Sequence, residues 1–398
     1  MSIKNKKSKI VNCLGLLCLL LCGCVTEYKP PKIDSLADIL VVEGIITDNE
    51  TIITLSRSVS ILEEHSSSFS YVNYADVFVE CEDGTRWVAE PLNWDPLSSS
   101  VPIRNGLYTI KNGMLEPDRK YRLKIEIEEP DYSSVDCYPD FWGGMSCPTK
   151  IYEYASAYSY PIKTPEIDSV FWIKRGPKQP VMIHIATHSP NNSVLYYRWS
   201  YKEDWEINSE YNLDTYPYYC WNKANSTGLL IGSAEKTVFG KITDVVTEIA
   251  PTNRKLAVLY RINVKQNVIS KRAYDYFANI KKNAEQTGSI FAPTPSELRG
   301  NITCLTDPDK PVIGYVDISS TTQKIRYIWR REGAYEYPPT LCELTPGDSL
   351  RSWNEGRIPD EYILYDVLEF DDTYIRIQCV DCTYYGTTQK PDDWPKNN

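Results

Sequence analysis

The sequence predicts a mainly β protein of two immunoglobulin/fibronectin-like β-sandwich domains, the second with a helical insertion. Three observations predict it. Short runs that alternate or stay apolar are separated by Asp-Asn, Asp-Gly and Pro-Asp turn signals. Only one long stretch carries a helical period, and nothing alternates strand and helix as a doubly wound nucleotide fold requires. The 398 residues are 42% hydrophobic, enough for packed cores, and at roughly 150 residues per domain they suggest two or three domains.

The strands follow in order. Residues 38–47, 51–57, 72–81, 86–90 and 121–127 (YRLKIEI) fill an N-terminal sandwich spanning 38–130. Residues 131–164, with Tyr138, Trp142 and the Tyr-studded IYEYASAYSY ending at Tyr160, read as an elaborated linker or exposed loop. A second sandwich over 165–335 begins at Thr164-Pro165-Glu166-Ile167-Asp168-Ser169-Val170. It continues through 181–187, 194–207, 256–268, 312–318 and 324–330. One helix, 270–287, interrupts it: Ser270 is a natural N-cap, and Ala273, Tyr276, Phe277, Ile280 and Ala284 recur at three- and four-residue spacing. Gly288 stands at the place of a left-handed C-terminal cap. A Cys-containing, loop-rich extension, 336–398, closes the chain with a last strand at 374–379.

The first 23 residues have the layout of a secretory signal. Lys4, Lys6, Lys7 and Lys9 precede an apolar run, 10–21, too short to span a bilayer. Leu21-Cys22-Gly23-Cys24 resembles the bacterial lipobox, whose cysteine is diacylated and becomes the first residue of the mature protein. Gly23 supplies the small side chain the signal peptidase needs, so Cys24 is the expected lipid anchor and 24–37 a lipidated tether. Removal of 1–23 takes away four Lys and no acid, so the net charge moves from −10 to −14. That balance argues against a sequence-independent grip on nucleic-acid phosphates.

Several segments, taken in order, resemble one family. They are Leu40-Val41-Val42-Glu43-Gly44, the 164–170 segment, Tyr196-Tyr197-Arg198-Trp199, Cys220-Trp221, Val264-Lys265-Gln266, Gly288-Ser289-Ile290-Phe291, Gly300-Asn301-Ile302, Val312-Ile313-Gly314-Tyr315 and Cys379-Val380-Asp381-Cys382. Together they resemble the Bacteroidetes lipoproteins grouped as domain-of-unknown-function family 4249, over nearly the whole mature chain. The resemblance implies an outer-membrane lipoprotein in the company of a TonB-dependent receptor. It carries no catalytic motif to transfer, and it leaves open the ligand and the membrane face.

Eight cysteines follow the anchor, and in an oxidising, exported setting they are first a disulfide inventory: Cys81, Cys137, Cys147, Cys220, Cys304, Cys342, Cys379 and Cys382. Cys137 with Cys147 would close a short loop around Trp142-Gly143-Gly144, and Cys342 is a reasonable partner for Cys379 or Cys382. The CxxC of Cys379 and Cys382 lacks the second pair that a zinc ribbon needs. His184 and His188 lie on an alternating strand, roughly 13 Å apart, and read as solvent-facing residues that cannot share an ion. No metal site or cofactor is expected. GxSxG, GxxxxGK[ST], GxGxxG and HExxH are all missing. Carboxylate neighbours such as Glu203 with Glu206, or Asp371 with Asp372, read as solvated faces.

Tyr is the unusual entrant in the composition, with 30 Tyr beside 8 Phe and 10 Trp, so most rings carry a polar tip suited to half-wet faces. Tyr216, Tyr218, Tyr219 and Trp221 form one candidate aromatic binding surface; Tyr152, Tyr154, Tyr158 and Tyr160 form another. The alternative is that these rings pad a sandwich or face a partner protein. The functional expectation is a lipid-anchored, non-catalytic binding or accessory subunit of a TonB-dependent receptor system. The competing classes are a surface-anchored hydrolase and a structural or adhesion protein of the envelope.

Overall fold

The structure is a computed structural model. It describes residues 38–395 except 49, 59–70, 92–105, 112, 114, 132–133, 140–144, 190–192, 238–239, 287–299, 339–341 and 368–371. Cys24, the signal and tether segments, Trp142, Gly288 and Asp371 lie outside the described residues.

The first ten strands are β1 (Leu40–Ile46), β2 (Thr51–Arg57), β3 (Asp76–Cys81), β4 (Arg86–Val88), β5 (Glu90–Pro91), β6 (Leu107–Ile110), β7 (Tyr121–Pro130), β8 (Tyr138–Pro139), β9 (Met145–Ser146) and β10 (Thr149–Ser156). Their alternation sends one set of side chains inward. Leu40, Val42, Ile53 and Leu55 from one sheet meet Val77, Val79, Leu123, Ile125 and Tyr154 from the other in a single core. Lys124 interrupts the apolar pattern of β7 and is nevertheless buried. Its ammonium meets Glu126 and Glu153 at 2.9 Å each, the pairing that makes a buried cation tolerable.

The next elements are β11 (Ile167–Lys174), β12 (Val181–Thr187), β13 (Tyr196–Asn208), β14 (Tyr219–Asn225), β15 (Leu230–Ser233), β16 (Ile242–Ile249), β17 (Leu259–Val268) and helix α1 (Lys271–Gln286). Strands β18 (Ile302–Cys304), β19 (Val312–Ile318) and β20 (Thr321–Trp329) follow. Sheet β11-β12-β16 packs on sheet β14-β13-β17-β20 over a second core that includes Ile183, Ile185, Tyr197, Trp199, Ile262 and Val264. The mainly β, sandwich-like expectation therefore holds, with the helix where its period placed it.

The chain path differs from the expected boundaries. Residues 302–318 fall inside the range expected for the second sandwich, yet β18 pairs with β10, and β19 lies parallel to β1 with Val42 opposite Gly314. The first sheets run β19-β1-β2-β6-β5 and β18-β10-β7-β3-β4, so both depend on strands from far along the chain. Gly300 and Gly314 permit this return: a Cβ on Gly300 would lie 1.5 Å from the Gly314 carbonyl oxygen, and one on Gly314 would lie 2.3 Å from that of Val42. Asn301 then clamps the turn, donating to the Val316 carbonyl at 2.8 Å and accepting from the Val316 amide at 2.9 Å. The expected 131–164 linker is also corrected. Strand β10 within it pairs with β7 and β18, and Tyr154 is fully buried, because Tyr152 and Tyr154 alternate with Glu153 at strand period.

The C-terminal extension folds on the outside of the second sheet pair as β21 (Thr345–Pro346), helix α2 (Gly347–Trp353), β22 (Tyr362–Asp366) and β23 (Thr373–Arg376). It is tied down by Cys220–Cys382 and by its own Cys342–Cys379 bridge. Trp394 then covers the sheet, its indole donating to Glu206 at 3.0 Å.

Candidate functional site

Several of the segments singled out in the sequence meet at the centre of the molecule. Gln266, fully buried on β17, accepts from the Trp199 indole at 2.9 Å and donates to the Pro165 carbonyl at 2.9 Å and to Thr187 Oγ1 at 3.2 Å. The Val268 amide donates to Thr164 Oγ1 at 3.1 Å, so the crossing chain is locked onto β17. Each polar atom in this knot is satisfied, which fixes the register of β13 against β17.

The opposite face of these two strands looks outward across a seam. Alternation places Arg198 opposite Asn267 and Ser200 opposite Lys265 on that face. Facing them are β1, β2 and β19 of the first sheet pair and the apolar stripe of α1. Ser270 caps the helix, its Oγ accepting from the Ala273 amide at 3.1 Å, while its own amide donates to Asp317 Oδ2 at 2.7 Å. That start angle lays Ala273, Tyr276 and Phe277 against Tyr196 and Ile269.

Two cavities flank Arg198. The smaller, about 200 Å³, opens toward Gly44, Glu50, Ile52 and Lys265. The larger, about 350 Å³, is walled by Leu229, Tyr276, Phe277, Ile280, Ile313 and Tyr315, with Glu43 at its edge. The guanidinium carbon stands 4.9 Å from the centre of the Phe277 ring. Burial pulls the Arg198 pKa below its ordinary value, opposed by the charge of Glu43. Among the described residues, no hydrogen bond or ion pair engages this side chain. Burial, reinforced by Glu43, pushes Tyr276 up to about 12, so its phenol stays protonated at neutral pH.

The profile of a family described as Domain of unknown function (DUF4249) matches residues 25–138 and 148–325. The chain belongs to that family. The family match covers the first sheet pair, α1 and the second sheet pair into β20, and it includes every seam residue named above. No curated protein matches the chain.

The aromatic loop of this DUF4249 chain lies away from the seam. Tyr216 packs into a small cluster with Cys342, Ile375, Cys379 and Val380, and Tyr218 meets Tyr219 edge-on at 4.8 Å. Tyr219 is exposed, while Trp221 exchanges backbone hydrogen bonds with Thr387 and borders a third cavity with Lys223 and Lys390. The C-terminal extension thus covers half of the surface the sequence offered. Of the second set, Tyr154 is core, and Tyr158 donates to Glu80 at 2.9 Å with Arg122 over its ring.

Cys137 is bonded to Cys147, and the CxxC is split, Cys379 joining Cys342 and Cys382 joining Cys220. Cys304, a candidate disulfide residue, is instead buried and unbridged, as is Cys81. Both point into the first core, but β18 and β3 stand three strand spacings apart, roughly 14 Å, beyond disulfide reach.

His184 is corrected as well: both ring nitrogens are buried without partners, and the ring stacks on Phe171 at 5.3 Å. His188 is exposed and bonds Asp168 at 2.8 Å. Glu203 and Glu206 are buried rather than solvated. Lys255 and Tyr260 hold the first, Trp394 the second.

Sequence reasoning did not single out Arg198, Lys265 or Glu43 as site residues. The signal available was an arginine on the polar-alternating face of an aromatic strand, Tyr196, Arg198, Ser200, with no acid two positions away to pair with it.

Proposed function

We propose that this chain is an outer-membrane lipoprotein, held by a diacylated Cys24, that serves as a non-catalytic binding or accessory subunit of a TonB-dependent receptor in nutrient capture or uptake. The observation that carries the binding role is the seam itself: two cavities meeting at a half-buried guanidinium that has no hydrogen-bonding or charged partner among the described residues. Small-molecule sites favour such concave junctions between packed units, with an apolar wall and few polar groups. The address rests on the lysine-rich start, the apolar run and the Leu21-Cys22-Gly23-Cys24 box. Two or three acyl chains hold a protein to a bilayer almost irreversibly, which raises its effective concentration beside a receptor in the same membrane. A weak docking interface then suffices.

Affinity purification from membranes in mild detergent tests the proposal. The expected result is a β-barrel receptor in stoichiometric amount, and a Cys24→Ala variant that leaves the membrane fraction. Recovery of the chain alone in every detergent, or processing insensitive to globomycin, would overturn it.

A further inference from the structure

We propose that the larger seam cavity binds a small monocarboxylate with an apolar or aromatic body, whose carboxylate is taken by Arg198. This names the ligand class of the binding subunit proposed above and rests on that reading.

The first ground is a contrast within the molecule. Four other arginines withdrawn from solvent are paired with acids: Arg57 with Glu129, Arg122 with Glu80, Arg261 with Asp204 and Asp393, and Arg326 with Glu332. Arg254, half-buried without an acid, lies over the Tyr385 ring at 3.9 Å and lines neither seam cavity. Arg198 is half-buried, yet no acid or carbonyl among the described residues meets it. Withdrawing a guanidinium from water without compensation is costly, so such a group marks a place where an anion arrives from outside. The planar fork of N–H donors matches a carboxylate in bidentate fashion. The Phe277 ring beside it fixes where that fork stands.

The second ground is the charge around the mouth. Glu43 is exposed at the edge of the larger cavity, and Glu50 lines the smaller one beyond Arg198. Lys265 also opens onto the smaller cavity, not the larger. Within the larger cavity one guanidinium stands with one carboxylate, Glu43, which suits a single negative charge; a phosphate dianion or a tricarboxylate would bring its further charge against Glu43. The third ground is the wall. Leu229, Tyr276, Phe277, Ile280 and Ile313 line about 350 Å³, near the lower end of small-ligand pockets, so the rest of the ligand is short and apolar.

The same chemistry has two sources, a free organic acid or the C-terminus of a short peptide, and the assay separates them. Detergent-solubilised full-length protein is titrated calorimetrically with 3-phenylpropionate, octanoate, N-acetyl-Ala-Phe, uncharged 3-phenylpropanamide and propane-1,2,3-tricarboxylate. At least one monocarboxylate is expected to bind at least tenfold more tightly than both the amide and the tricarboxylate. Preference for the peptide over the two free acids assigns the peptide source, and the reverse assigns the free acid. Arg198→Gln should weaken the monocarboxylate about tenfold to a hundredfold and leave the amide unchanged. Thr227→Trp, at an exposed position on the cavity mouth, should block binding while leaving the unliganded melting temperature unaltered.

Failure of all three monocarboxylates, or equal binding of acid and amide, overturns the proposal. So does full retention of binding in Arg198→Gln. Receptor co-purification from the same preparation keeps the two readings apart: a receptor without carboxylate binding overturns the ligand class alone, and carboxylate binding without a receptor overturns the accessory role alone.

Discussion

Asp317, the penultimate residue of β19, has its carboxylate buried against the first turn of α1, accepting from the Ser270 amide at 2.7 Å. Burial is the dominant influence and raises its pKa above the ordinary 3.8, with the Ser270 hydrogen bonds opposing. A carboxyl whose folded pKa is raised holds its proton more tightly in the native state. Its stabilising contribution is complete below pH 3.8 and is lost as pH climbs through the higher folded value. Urea unfolding of wild type and Asp317→Asn across that window should show the wild type losing stability relative to the variant as pH rises; a constant gap would contradict this. The local half of this arrangement was readable, since a Ser before a three- and four-residue apolar period announces a cap. The partner 47 residues away was not, because alternation says which face a side chain takes and nothing about what will lie across from it.

At the scale of elements, the disulfide bridges differ greatly in span. Cys220–Cys382 encloses 162 residues of sequence and Cys137–Cys147 only 10. The loop-entropy relation puts the first at roughly 5 kcal/mol and the second nearer 3. Cys220→Ser with Cys382→Ser should therefore lower the denaturant midpoint more than Cys137→Ser with Cys147→Ser; the opposite order would show that the extension adds little to the fold. Strand existence was largely legible, as YRLKIEI and VMIHIAT show by their period of two. Strand β10 was misread because its tyrosines look like surface residues by composition, although Tyr152, Glu153 and Tyr154 already alternate. The same error in reverse made His184 a solvent-facing residue: its outer face carries Phe171, which stacks on the ring.

For the whole molecule, every strand of the second sheet pair except β20 is inserted between β10 and β18 of the first, so the N-terminal half is incomplete by itself. A fragment ending at residue 164 lacks β18 and β19 and leaves the flanks of β10 and β1 unpaired. Such a fragment should be expressed as an aggregate or show no near-ultraviolet dichroism, whereas residues 38–395 should give a cooperative transition. A soluble, cooperatively unfolding fragment would refute that dependence. No local pattern could have revealed the pairing of Val42 with Gly314, since both strands look like ordinary apolar runs. The parallel geometry of that pairing also has a mechanical meaning. Tension applied along the axis at the N-terminal end of β1 is shared at once by seven register pairs to β19 and six to β2, a shearing arrangement rather than an unzipping one. Strand β1 is thereby built to stay seated when pulled.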